Sequence, residues 1–152
     1  MPYTVPNVPQ APSTRRYPHV VPLQIPPNCD LTLGLVCIDK SEPGRTVWQA
    51  RVDERFLNPA GVLQGGFLAA MLDSAMGASA VTMVGDRRVI VANTEMKVSF
   101  LRAVALDDTL TCVATVLKAG RVISFLEAKA TNAEGLLVAT ASSTYLIKDR
   151  PE

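Results

Sequence analysis

One acid, Asp73, stands alone in a run that is otherwise apolar or small: NPAGVLQGGFLAAMLDSAMGASA, residues 58–80. A buried carboxylate with no Lys or Arg near it costs free energy unless something satisfies it. Either a partner lies elsewhere in the fold, or the acid is there to do chemistry. The helical part of the run opens on Gln64-Gly65-Gly66. Glycines at a helix start let a ligand reach the free N–H groups of the first turn. Those groups and the positive end of the helix dipole favour an anion or a polarised carbonyl oxygen, which is the physics of an oxyanion hole. Paired glycines before a helix also serve as a packing or turn device.

On one helix, Asp73 lies about 12 Å along the axis from Gly65, at roughly 1.5 Å per residue. That is far for one substrate atom to touch both, and a second subunit could supply the acid to this subunit's helix start. With Asp73 as the zero of a helical wheel, Gly66, Ala69, Ala70, Met76, Gly77, Ala80 and Val84 fall within about 60° of it. Phe67, Leu68, Met71 and Leu72 point away and can bury in a sheet. The small face leaves room for close approach by a ligand, a second helix or a subunit.

The elements that must position these groups follow from pattern. Residues 1–27 hold eight of the eleven prolines and read as an extended arm, since such a segment cannot run as a helix or a central strand. The rest of the chain, 28–152, reads as one domain. Leu31–Ile38 is a short apolar run, SEPG (41–44) a turn, and Thr46–Val52 a strand rich in β-formers. After the helix, Asn93–Leu101 alternates with period two. Thr94, Met96, Val98 and Phe100 are expected on one face, and Asn93, Glu95, Lys97 and Ser99 on the other. Thr109–Leu117, Arg121–Thr131 and Leu136–Ile147 read as three more strands, joined by hairpin-length links KAG and NAEG that force antiparallel pairing. The order β-β-α-β-β-β-β is an α+β layer architecture, one antiparallel sheet curled around one apolar helix.

Composition narrows the function. The chain has 152 residues, 48% hydrophobic and 19% charged, with net charge +1. That suits a globular protein and argues against a nucleic-acid binder, which would show a basic stripe. Val62–Val84 is long enough to span a membrane, but its central acid and paired glycines point to a buried helix of a soluble protein. Three cysteines without CxxC spacing read as free thiols in a reducing, cytoplasmic compartment. The N-terminus lacks the apolar core of a signal peptide. The only histidine, His19, is in the arm, so Ser-His-Asp and Cys-His devices are excluded. No metal-ligand spacing, P-loop or GxGxxG is present.

The string N-P-A-G-V-L-Q-G-G (58–66), followed seven residues on by Asp73, resembles the signature N-x-x-G-x-x-H-G-G…D of the hotdog-fold acyl-CoA thioesterases, in the PaaI-like (phenylacetate-pathway) branch. N-T-E-M-K-V-S-F-L-R-A-V (93–104), L-K-A-G-R-V-I-S-F-L-E-A-K-A (117–130) and E-G-L-L-V-A-T-A-S-S-T-Y (134–145) resemble that family's later strands. The likeness covers roughly 30–147 and leaves out the arm. It implies a hotdog fold, a curved antiparallel sheet around one long central helix, in a dimer or tetramer with sites at the dimer interface. It implies hydrolysis of an acyl-CoA, with CoA as part of the substrate and no other cofactor. Carried over, the Gly65 N–H, with Gly66 beside it, would polarise the thioester carbonyl. Asp73 would activate water or attack, reaching across to the partner's helix start. Asn58 would position substrate or water, and Asn93 or Thr94 would hold the nucleophilic water. Gln64 stands where the family usually has His. The CoA phosphates need cations, for which Arg121 is the first candidate, with Lys97 and Arg102 and further Arg87, Arg88 and Lys118. Phe67, Met71, Met76, Met83 and Phe100 are candidates for the acyl pocket. Two other readings stand beside the enzyme: a non-catalytic acyl-CoA-binding or assembly module of the same fold, and a structural Asp73 paired with Arg or Lys across a dimer.

Overall fold

Gly34 decides how the first apolar run folds. The structure, a computed structural model, describes residues 24–150; the arm expected over 1–27 lies almost wholly outside the described residues. The apolar run expected at Leu31–Ile38 divides in two. Asn28–Leu33 forms a short helix, α1, and only Val36–Asp39 is a strand, β1. Gly34, at φ 63°, donates its N–H back to the carbonyls of Asp30 and Leu31 and ends the helix in the left-handed conformation that glycine adopts without strain. A short apolar run has no period of its own to separate helix from strand.

The remaining elements follow the expected order: β2 (Arg45–Arg51), α2 (Gly65–Met83), β3 (Val89–Phe100), β4 (Thr109–Ala119), β5 (Ile123–Thr131) and β6 (Leu137–Asp149). A single turn of 3₁₀ helix, Glu54–Phe56, precedes α2. The strands form one antiparallel, curved sheet in the order β1-β2-β4-β5-β6-β3. Helix α2 carries the chain from β2 across to β3 on the far edge, and it packs against β2 to β6. By length and composition α2 is apolar enough to cross a membrane. Here its Leu68, Met71, Leu72, Ala75 and Met76 are buried against the sheet with Leu110, Leu126 and Val138. Of the bulky residues expected to face the sheet, Phe67 departs. It lies at the surface and stacks on Phe56, ring centroids 4.6 Å apart.

A polar knot holds the far end of α2. Thr46 Oγ1 donates to the Ala75 carbonyl (3.0 Å), lies 2.8 Å from Ser79 Oγ, and accepts from the indole N–H of Trp48 (3.0 Å). All three side chains are buried. Thr46→Val keeps the shape but leaves the Trp48 N–H without its acceptor. It is expected to cost about 1–3 kcal/mol of unfolding free energy, measured by denaturant titration.

Strand β3 departs from its expected phase. Asn93 pairs with Tyr145 and Glu95 with Thr144, so Thr94 is an extra residue, a β-bulge. Val89 and Val91 before the bulge, and Met96 and Val98 after it, all pack on the core. Asn93 therefore shares their face, opposite to the face that uninterrupted alternation assigns it.

Candidate active site

The bulge brings Asn93 to the acid. Asp73 is half-buried on α2, and its carboxylate Oδ1 accepts from Asn93 Nδ2 at 2.6 Å. The same oxygen accepts from the Tyr145 hydroxyl, which also lies 2.9 Å from the Asp73 main-chain carbonyl. Asn93 is itself held, since its Oδ1 accepts from Ser143 Oγ (2.7 Å) and from the Glu95 N–H (3.1 Å). With that oxygen occupied, its NH₂ must face the acid. Among the described residues Asp73 has no ion-pair partner, and its Oδ2 has no hydrogen-bond donor. Burial first, then the Asp73 carboxylate, push the Tyr145 phenol well above its ordinary titration range, so it stays a proton donor.

The small-residue face is only partly open. Gly66 and Ala70 are exposed and Ala69 and Gly77 half-buried, whereas Met76 and Ala80 are buried. The Tyr145 ring lies over Gly77, where an added Cβ would sit 3.6 Å from it.

At the other end of the helix face, Gln64 is the N-cap, with φ −66° and ψ 127° and no capping bond from its side chain. Its main-chain N–H donates to the Phe56 carbonyl, and its carbonyl accepts from Phe67 and Leu68. Among the described residues, the N–H groups of Gly65 and Gly66 find no acceptor. Gly65 lines a cleft of about 350 Å³ together with Leu63, Leu68, Phe100, Arg102 and Val104. An added Cβ on Gly65 would sit 3.0 Å from the Phe100 ring. Glycine is what lets that ring, half-exposed, lie against the helix start. Asp73 does not line this cleft. One chain thus holds the two halves of the expected chemistry apart, as the helix geometry required.

The other expected site residues are spread. Asn58 shapes the loop before α2: its Oδ1 accepts from the N–H groups of Ala60 (2.9 Å) and Val62 (3.4 Å). Thr94 points away from the acid and donates to the Thr144 carbonyl at 2.8 Å. Lys97, on the face opposite Met96 and Val98, lines an outer groove with Glu127 and Lys129. Arg102 donates to the Leu137 carbonyl at the edge of the Gly65 cleft. Arg121 lines a separate groove with Arg87, Val122, Leu146 and Lys148. Arg87 is paired with Asp149, and Arg88 and Lys118 are exposed. Met71 and Met76 belong to the core, and Met83 is exposed at the end of α2. Burial raises the Cys112 thiol to about 12, which removes it as a nucleophile at neutral pH.

Sequence reasoning missed Tyr145 and Ser143. Both occupy inward positions of β6, where Ala141 and Ile147 also point, so a single tyrosine there reads as core. The available signal is that a buried tyrosine hydroxyl needs a partner.

Residues 60–139, more than half of the chain, match the model of the thioesterase superfamily. Human acyl-coenzyme A thioesterase 13 is 25% identical over 118 residues, which cover 77% of this chain and 83% of that protein. The E. coli PaaI protein from the phenylacetic acid degradation operon superposes with a TM-score of 0.74 at 22% identity, covering 83% of this chain and 86% of that one. A hypothetical thioesterase from Streptococcus pneumoniae TIGR4, solved with coenzyme A, gives a TM-score of 0.74 at 22% identity and covers 82% and 95% of the two chains. At those identities the two structures speak for the fold, and the fold is the hotdog, as the sequence resemblance implied. The family match and the sheet wrapped on one helix agree: the chain belongs to the thioesterase superfamily and is a thioester hydrolase.

Proposed function

We propose that this protein hydrolyses an acyl-CoA thioester to a carboxylic acid and CoA, with Asp73 as the reacting acid. The observation that carries this reading is the Asp73 carboxylate, which has one oxygen held by two donors and the other uncommitted. The curated relative is named an acyl-CoA thioesterase, and a structural neighbour was solved with coenzyme A; both favour the CoA ester.

In this reading two copies of the chain assemble so that Asp73 of one faces the Gly65 turn of the other. Strand β3 lies at the sheet edge with one side unpaired, and the half-open small face of α2 lies beside it; unpaired edges of this kind are templates for pairing with a second chain. The thioester carbonyl oxygen accepts from the Gly65 N–H. As a base, Asp73 takes a proton from water as the water oxygen attacks the carbonyl carbon. The tetrahedral intermediate collapses with cleavage of C–S, and the CoA thiolate leaves and is protonated. As a nucleophile, Asp73 displaces the thiolate itself and forms a mixed anhydride that water then hydrolyses. A pre-steady-state burst of thiol separates the second course from the first. Phe100, Leu63 and Leu68 line the acyl cleft, with Gly66, Gln64 and Asn58 at its helix end. Arg102, at that cleft, and Arg121, in the groove with Lys148, are the cations we assign to the CoA phosphates. The reaction needs no cofactor beyond the CoA of the substrate. Three unpaired thiols suit a reducing cytoplasm.

Free-thiol release from a panel of aryl- and fatty-acyl-CoAs tests the reading. Turnover of at least one ester by a protein that sizes as a dimer or larger is the expected result. Tight binding of the same esters without thiol release would instead favour the non-catalytic acyl-CoA module.

A further inference from the structure

We propose that Tyr145 is a positioning residue for Asp73, its phenol and the Asn93 amide together holding one carboxylate oxygen so that the other faces the thioester. The inference rests on the hydrolase reading above and adds to it a residue that touches no substrate. Tyr145 is 3% exposed and lies within the core beneath β6. Its hydroxyl has two acceptors in reach, Asp73 Oδ1 and the Asp73 main-chain oxygen. A phenol has one proton, and a charged carboxylate is the stronger acceptor. Asn93 adds a second donor to the same Oδ1, and the Glu95 N–H, which donates to the Asn93 carbonyl oxygen, leaves the amide no other orientation. A carboxylate tied at one oxygen by two donors loses its side-chain rotation before substrate arrives. The remaining oxygen, Oδ2, carries the lone pair that reacts.

Among the described residues no other charge competes for the acid. Asp73 is the only titratable residue of α2. On the strands packed against that helix, the titratable groups facing inward are Tyr145 and Cys112. Glu95 of β3 is exposed, with its carboxylate bonded to Thr144. On α1 the groups are Cys29, which is exposed, and Asp30, which is buried and bonded to Cys29. No described Lys or Arg is buried.

Tyr145→Phe removes the hydroxyl and keeps the ring over Gly77. With wild type, Asp73→Asn and the double variant assayed side by side, Tyr145→Phe is expected to lower kcat roughly 10- to 100-fold, the effect of one hydrogen bond to a charged group. KM changes little. In the Asp73→Asn background the same change has little further effect, since residues that act through one group are not additive. A wild-type kcat would overturn the inference, and so would equal fold-losses in both backgrounds. Either result leaves the hydrolase reading standing while Asp73→Asn keeps its own large loss of kcat. Absence of turnover by wild type, or full turnover by Asp73→Asn, overturns both together.

Discussion

Asp73→Asn is expected to lower kcat by about 10²- to 10⁴-fold, the range that general-base assistance supplies, with little change in melting temperature or oligomeric state. The substitution is nearly isosteric, and the site dictates how the new amide sits. Tyr145 and Asn93 both donate to Oδ1, so an asparagine must turn its carbonyl oxygen toward them and place its NH₂ where the uncommitted Oδ2 stood. The hydrogen bonds to β3 and β6 survive, and only the uncommitted oxygen is replaced. Thiol release from the best ester, with size-exclusion chromatography of both proteins, makes the comparison. Equal turnover by the two proteins would remove Asp73 from the chemistry. A smaller oligomer with turnover nearly intact would make Asp73 a structural contact between subunits.

Gly65→Pro carries the second large effect, because it deletes one N–H with little disturbance of the helix. Proline is tolerated at the first helical position, where the N–H has no intrahelical acceptor. The residue before a proline must be extended, and Gln64 already is, at ψ 127°. The cost lies in the Phe100 ring, 3.0 Å from where the new Cβ would sit. That ring is 52% exposed and free to give way. Gly65→Ala meets the same ring and keeps the N–H, so it measures the steric part alone. Loss of one oxyanion donor is expected to lower kcat by about 10²- to 10³-fold in Gly65→Pro, well beyond the alanine variant. Equal losses in the two would assign the effect to Phe100 and leave the Gly65 N–H with no part in the reaction.

The sequence by itself determined the strands, the long helix and the acid at its centre. Alternation and hairpin-length links are local signals, and each reports on residues a few positions apart. The composition of 58–80 marked Asp73, Gly65 and Gly66 for the same reason: one charge among apolar neighbours and two glycines at a helix start need no partner to be noticed. The first apolar run, counted as the first strand, is instead divided by Gly34 into α1 and β1. Only the tertiary structure decided which residues meet the acid. Alternation assigned Asn93 to the face away from Met96 and Val98; the bulge at Thr94 reversed that assignment. A bulge arises in the pairing of β3 with β6, between residues about fifty positions apart, and nothing within β3 announces it. Tyr145 was hidden in the same way, as one more large inward side chain of β6 until the fold set α2 beneath it. Chemistry-bearing types are legible in one dimension because their cost is local. Their contacts are not, because register and strand order are settled by the packing of the whole sheet on one helix.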